Sequence, residues 1–231
     1  MTNDTPMNRL IWHSLQTCHA RFAEGSELAL TFQEDVSPFI ASKDDSAASL
    51  NALSQLVNSH PHRKFLLMQK DPIHLPDTVF TEKTDTGVQM ILDGEASLNT
   101  RASSEIIPLT TSDAAEMLAL ATLTEPGPFF TRTHEMGNFC GIKRDGKLIA
   151  MAGERLKIPG MSEITAVCTH PDYRGQGLAT HLIKHAAQQM QQRGETPFLH
   201  TYASNTGAIS LYKHLGFRLR CDVNLAVITA C

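Results

Sequence analysis

Apolar and polar positions along this chain change period repeatedly, and the changes mark its elements. Leu178, Leu182, Ile183, Ala186 and Met190 recur at three- and four-residue spacing, which predicts a helix from Gly177 closed at Gly194. The stretch before it, about Glu163 to Thr169, reads as a strand. Phe139–Lys143 and Leu148–Leu156 read as two more, joined at Asp145-Gly146, a dipeptide that favours a tight hairpin. Pro197–Tyr202 is a short strand, and Asn205–Leu215 a helix with Gly216 placed to close it. Phe217–Thr229 is the last strand. Upstream, Asp113–Ala121 follows a cap at Thr111 or Ser112, and a second short helix is expected between Gly127 and Gly137. The order α-α-β-β-β-α-β-α-β predicts an α/β fold whose mixed central sheet carries helices on both faces.

The first half is less regular. Met7–Phe22 and Ala47–Ser59 read as helices, and Leu28–Phe32, Lys64–Gln69 and Val88–Leu92 as strands. Asp93-Gly94 and the Ser/Thr-rich stretch from Ser97 to Ser104 suggest a linker. Two regions are therefore expected: an α/β N-terminal region over 1–100, whose role the sequence leaves open, and a second unit over 105–231. The first could be a degenerate relative of the second or a separate cap over it.

Chemistry concentrates where the strand ending at Thr169 runs through His170-Pro171-Asp172-Tyr173 into Arg174-Gly175-Gln176-Gly177-Leu178-Ala179-Thr180. A glycine loop opening into a helix presents free backbone N–H groups and the positive end of the helix dipole, which together favour a phosphate. Gly175 and Gly177 lack a Cβ, so an anion can approach the main chain, and Arg174 adds a fixed positive charge. The spacing excludes a P-loop, which needs Gly-x-x-x-x-Gly-Lys-Ser/Thr. It also excludes Gly-x-Gly-x-x-Gly, because Thr180 stands where the third glycine is required. Arg174, Gly177 and Ala179 leave Arg-x-x-Gly-x-Ala, which resembles the acyl-CoA-binding motif of the GNAT superfamily of N-acyltransferases. Ser204-Asn205 followed by Leu211-Tyr212-Lys213-His214-Leu215-Gly216-Phe217 resembles the second signature of that family, in the family's order. The resemblance covers residues from about 108 onward.

It implies direct attack of a primary amine on acetyl-CoA in a ternary complex, with a small molecule, an amino acid or a protein terminus as acceptor. Gly175, Gln176, Gly177, Leu178, Ala179 and Thr180 would hold the pyrophosphate together with Arg174. Val167, Cys168 and Thr169 would pair their backbone with the pantetheine arm, one N–H also serving the oxyanion. Tyr212 matches the tyrosine that protonates the departing thiolate, and a phenol is protonated at neutral pH. Asn205 is both a helix cap and the family position that contacts CoA. For the general base there are two candidates, beside the alternative that water or bulk deprotonation serves instead. Glu163 matches the position of a basic Glu in some members, and His200 stands where others carry a carboxylate. Glu125-Pro126-Gly127-Pro128-Phe129-Phe130 would line the acceptor side.

Composition narrows the setting. No run of eighteen apolar residues occurs, so no membrane helix is expected, and Met1–Asn8 lacks the apolar core of a secretory signal. Five scattered cysteines without a Cys-x-x-Cys pair suit reduced thiols in the cytoplasm. The net charge of −4 divides into −6 over residues 1–105 and +2 over 106–231. The basic bias is too small for nucleic acid but suits an anionic cosubstrate. His181 and His185 share a helix face, yet Leu182 stands where a zinc hydrolase needs Glu, so no metal is expected. Cys168 has no adjacent base and is expected to be a buried strand thiol. A homodimer through the last strand is left open. The rival readings are a non-catalytic CoA sensor and a general nucleotide-phosphate binder.

Overall fold

The structure, a computed structural model, describes residues 5–92, 94 and 105–231. Apolar residues at helical spacing form α1 (Leu10–Gln16), which buries Leu10, Ile11, Trp12 and Leu15. β1 (Ala23–Gly25), β2 (Ala29–Phe32) and β3 (Ile40–Ser42) make a small antiparallel sheet. α2 (Ala47–Asn58) is capped by the Ser46 hydroxyl, which accepts from the Ser49 N–H. β4 (Phe65–Gln69), β5 (Val79–Ile91) and β6 (Ile106–Leu109) follow, then α3 (Ala114–Thr124), β7 (Phe139–Arg144), β8 (Lys147–Ile158) and β9 (Met161–Thr169). α4 (Leu178–Gln192), β10 (Thr196–Tyr202), α5 (Thr206–His214) and β11 (Arg218–Ala230) complete the chain.

One eight-stranded sheet organises the molecule in the order β4-β11-β5-β10-β9-β8-β7-β6. Its pairs are antiparallel except β9 with β10. Side chains alternate across it. Met151, Ala166 and Cys168 meet Met117 and Leu120 of α3 on one face. Ala150 and Ala152 meet Leu182 of α4 on the other, where Ile164 and Leu199 also pack with Ile183 and Met190. The expected mixed sheet with helices on both faces is therefore what forms. The N-terminal region is woven into it: β5 lies between β10 and β11, and β4 flanks β11.

Several expectations shift on the structure. The helix expected over Met7–Phe22 is divided into a 3-10 turn at Pro6–Arg9, α1, and a second turn at Ala20–Phe22, because Thr17 leaves helical geometry at φ −127° and ψ −98°. The strand expected at Val88 begins at Val79, since β11 pairs along its whole length even where β5 is exposed and polar. Between Gly127 and Gly137 only the 3-10 turn Thr133–Met136 is helical. Gly127 sits at φ 126°, outside helical geometry. α3 is entered through a turn at Thr111–Asp113, and the Asp113 carboxylate accepts the Thr110 N–H at 2.9 Å, placing the cap one residue before Thr111. The linker expected at Asp93-Gly94 and from Ser97 to Ser104 lies, Gly94 apart, outside the described residues.

Candidate active site

β9 and β10 pair only where Met161, Ser162 and Glu163 meet Thr196, Pro197 and Phe198. Beyond that point β9 stays with β8 as far as Thr169, and β10 with β5 as far as Tyr202. The facing edges of the two strands therefore part. A bulge lies on β9 within the split: Thr165 opposes Gly153 and Cys168 opposes Met151, so β9 carries one residue more than β8. Ala166, inside the bulge, has φ 50°, a left-handed conformation that costs a non-glycine residue about 1 kcal/mol or more. Strain held at that position re-aims the main chain of Val167 away from the β8 ladder.

Past Thr169 the chain makes a short turn in which the His170 ring accepts the Asp172 N–H. Gly175 and Gly177 then adopt φ 77° and 75°, and a Cβ on either would meet no atom within 4 Å. Both glycines are therefore required by conformation, and the space above them is open. Gly177 is the N-cap of α4, so the N–H groups of Leu178, Ala179 and Thr180 have no partner within the helix. A cavity of about 320 Å³ opens onto this loop, lined by Thr124 and Pro126, by Val167, Cys168 and Thr169, and by Tyr173 through Ala179. Thus the expected phosphate loop and the expected backbone edge border one space. Of the residues assigned there, Gly175, Gln176, Gly177, Leu178, Ala179, Arg174, Val167, Cys168 and Thr169 line it, whereas Thr180 does not. The Arg174 guanidinium is exposed and reaches the Thr169 carbonyl at 3.4 Å. Burial pushes the Cys168 thiol up to about 11, so it stays neutral and non-nucleophilic.

Asn205 caps α5 by accepting the Ala208 N–H at 3.1 Å. Tyr212 packs its ring against Phe217 at 6.1 Å, and burial raises its pKa, which keeps the phenol a proton donor. Val167 packs against the same apolar cluster as Tyr212, which connects that ring to the cavity wall. Phe129 stacks edge-on with Phe139 beside Ala166 and Cys168. From there the chain reaches the small sheet, where Arg132 bonds Gln33 at 2.9 Å and pairs with Asp35 at 3.2 Å. The acceptor-side segment is thereby tied to the N-terminal region.

On the face away from α4, Glu163 and His200 form a contact that spacing alone did not reveal. His200 Nδ1 stands 2.8 Å from Glu163 Oε1. The carboxylate also accepts two bonds at 2.9 Å from Arg155 and one at 3.1 Å from the Leu156 N–H. Burial works to raise its pKa, but the Arg155 charge and the bonds from His200 and Arg155 outweigh it and hold the carboxyl below its ordinary range. Arg155 was missed in the sequence. Its signal was a charged pair, Glu154-Arg155, inside an otherwise apolar strand. Among the described residues, no group of three or more His, Cys, Asp or Glu is placed to hold a metal ion. Likewise, no helix among them is long and apolar enough to cross a membrane.

Comparisons with known proteins converge on this half of the chain and extend beyond it. The family model described as FR47-like protein matches residues 139–226. The [ribosomal protein bS18]-alanine N-acetyltransferase of Escherichia coli K12 is 30% identical over 121 residues, which span 52% of this chain and 81% of that enzyme. A crystal structure from Novosphingobium aromaticivorans, described as from the GNAT family, is 35% identical with a TM-score of 0.91, covering 99% of this chain and 100% of that one. A GCN5-related N-acetyltransferase from Kribbella flavida, at 16% identity and a TM-score of 0.66 over 95% of each chain, shares the fold. With the split strands, the bulge and the glycine loop in place, the chain belongs to the GNAT family and is an N-acetyltransferase.

Proposed function

We propose that the cavity between β9, α3 and the start of α4 binds acetyl-CoA and that the parted edges of β9 and β10 admit a primary amine. The observation that carries this reading is the loop at Gly175–Gly177. Two left-handed glycines, free helix N–H groups and open space meet there at one cavity. The N–H groups of Leu178 and Ala179, with Gly175 and Gln176, receive the pyrophosphate, and Arg174 adds charge. The pantetheine arm lies along Val167, Cys168 and Thr169, and the re-aimed main chain at the bulge donates to the oxyanion.

In the reaction the amine nitrogen bonds to the thioester carbon, the carbon–sulfur bond breaks, and CoA leaves as thiolate. Tyr212 gives that thiolate its proton. His200 takes the proton lost by the amine, directly or through one water. Glu163 suits this base role poorly, because its carboxylate is fully engaged and held in its charged form by Arg155. It serves better as the acceptor that orients His200. The E. coli relative acts on an alanine of a ribosomal protein, so an α-amine at a peptide terminus is the first acceptor class to try. Five free cysteines suit a reducing cytoplasm.

The experiment is a thiol-release assay with acetyl-CoA and a panel of short peptides with free α-amines, beside free amino acids and polyamines. Acetyl-CoA-dependent release with at least one amine supports the reading. Binding of acetyl-CoA without release on any amine class would sink the assignment of His200 and Tyr212 as a working acid–base pair.

A further inference from the structure

His200 is the middle of a longer chain of hydrogen bonds that crosses five strands beneath the N-terminal segment. On one side stand Glu163 on β9 and Arg155 on β8. On the other, His200 Nε2 lies 2.9 Å from Nε2 of Gln89 on β5. Gln89 is 1% exposed, and its Oε1 accepts a 2.7 Å bond from Arg220 on β11. Arg220 in turn donates to Thr5 Oγ1 at 2.6 Å and to Asn8 Oδ1 at 2.7 Å.

Donor chemistry settles the direction of every bond. A guanidinium only donates, so the Gln89 atom facing Arg220 is the carbonyl oxygen. The other end of the amide is then its NH2 group, and the Met7 carbonyl, an acceptor only, lies 3.4 Å from it. That NH2 group donates to His200 Nε2, which must carry a lone pair. The ring proton sits on Nδ1 and is donated to Glu163.

We infer that Gln89 and Arg220 are positioning residues: they fix the tautomer of His200 and hold its lone pair on Nε2. The inference rests on the reading of His200 as general base. Protonating Nε2 would set its new N–H against the Gln89 NH2 group. Turning the amide would relieve that conflict but would set NH2 against Arg220 and oxygen against the Met7 carbonyl. Arg220 and Gln89 thus oppose the imidazolium, while Glu163 favours it. The groups that bear on the ring are Glu163, Gln89 and Phe198 directly, with Arg155, Arg220, Cys221 and the Met7 carbonyl behind them. The base is by this route coupled to the N-terminal segment.

The test is 15N NMR of the histidine rings in the full chain, with His200→Asn identifying the signal, followed from pH 5 to 9 and set beside the pH profile of kcat/KM. The expected spectrum of the neutral ring shows a protonated Nδ1 and a bare Nε2. In Gln89→Met the ring should protonate at a pH higher by about half to one unit, the effect of one lost hydrogen bond to the neutral form. Arg220→Met should move it the same way, and Arg220→Lys, which keeps a donor toward the amide, should restore most of the original behaviour. A ring protonated on Nε2, or a Gln89→Met titration that does not move, would overturn the inference. A ring titration that moves while the acid limb of kcat/KM stays put would keep the positioning role and overturn His200 as the base.

Discussion

Glu163→Gln is the substitution whose cost the structure sets most sharply. The side chain is 1% exposed and its ion-pair partner Arg155 is 10% exposed. Four donors converge on its two oxygens: Arg155 Nε and the Leu156 N–H on one, Arg155 NH2 and His200 Nδ1 on the other. A glutamine must place its NH2 group at one of these oxygens, so at least two donors face a donor whichever way the amide turns. The guanidinium is left buried without a counter-charge. Removing one member of a buried ion pair costs about 3–5 kcal/mol. For a chain of this length that corresponds to a fall in Tm of roughly 6–20 °C. Urea unfolding followed by circular dichroism at pH 7.5 measures it. The double variant Arg155→Met with Glu163→Gln should lose less than the single substitution, because no uncompensated charge remains. The sign with pH is fixed as well. The folded carboxyl titrates below the ordinary value of 4.5, so the stabilisation is complete above that value and is lost as the pH falls below it. A single-variant loss under about 1 kcal/mol would refute the reasoning, since it would mean that water already solvates this pair.

Other consequences are equally direct. Gly153→Ala should destabilise by at least about 1–3 kcal/mol in the same unfolding assay, because its Cβ would stand 2.2 Å from the Phe139 ring. Cys140 and Cys168, pushed up to about 12 and about 11 by burial, should resist a thiol reagent at pH 8 in the folded protein, while exposed Cys18 and Cys231 react; mass mapping of the labelled sites decides this. His19 is buried with Ser14 and the Met136 carbonyl on its two nitrogens, and burial lowers its pKa below 6.5. Its contribution to stability is therefore present above 6.5 and lost as the pH falls through the lowered folded value, and His19→Gln should flatten the unfolding free energy across that window. Tyr212→Phe should lower kcat by on the order of 100-fold or more with a small change in KM for acetyl-CoA; an unchanged kcat would remove the phenol as the acid.

What the sequence made legible was local. The β7–β8 hairpin follows from Asp145-Gly146 because both residues take positive φ, 51° and 76°, which that dipeptide tolerates. The Asn205 cap and the helix from Leu178 follow from side chains within one turn of each other. The glycine loop was visible because its chemistry is carried by consecutive residues. What stayed hidden was carried by pairing between distant strands. Nothing near Phe80–Thr86 marks it as strand, since that segment is exposed and polar and is held by β11 more than a hundred residues away. β1, β3 and β6 are three or four residues long, too short for an alternation to register. The Arg155–Glu163–His200–Gln89–Arg220 chain draws one residue from each of five strands, so no window of sequence contains it. Glu163 and His200 were each visible as candidates, but their contact depends on the register of β9 against β10.

The claim on which the account turns is that the loop at Gly175–Gly177 is an acetyl-CoA site. Calorimetric titration of the purified chain with acetyl-CoA, run beside ATP and the Gly177→Glu variant, tests it most directly. The account predicts saturable binding of acetyl-CoA, little competition from ATP, and loss of binding when a carboxylate on a strained left-handed residue stands where the pyrophosphate should lie. Absence of binding by the wild type at millimolar acetyl-CoA, or equal binding by the variant, would contradict it.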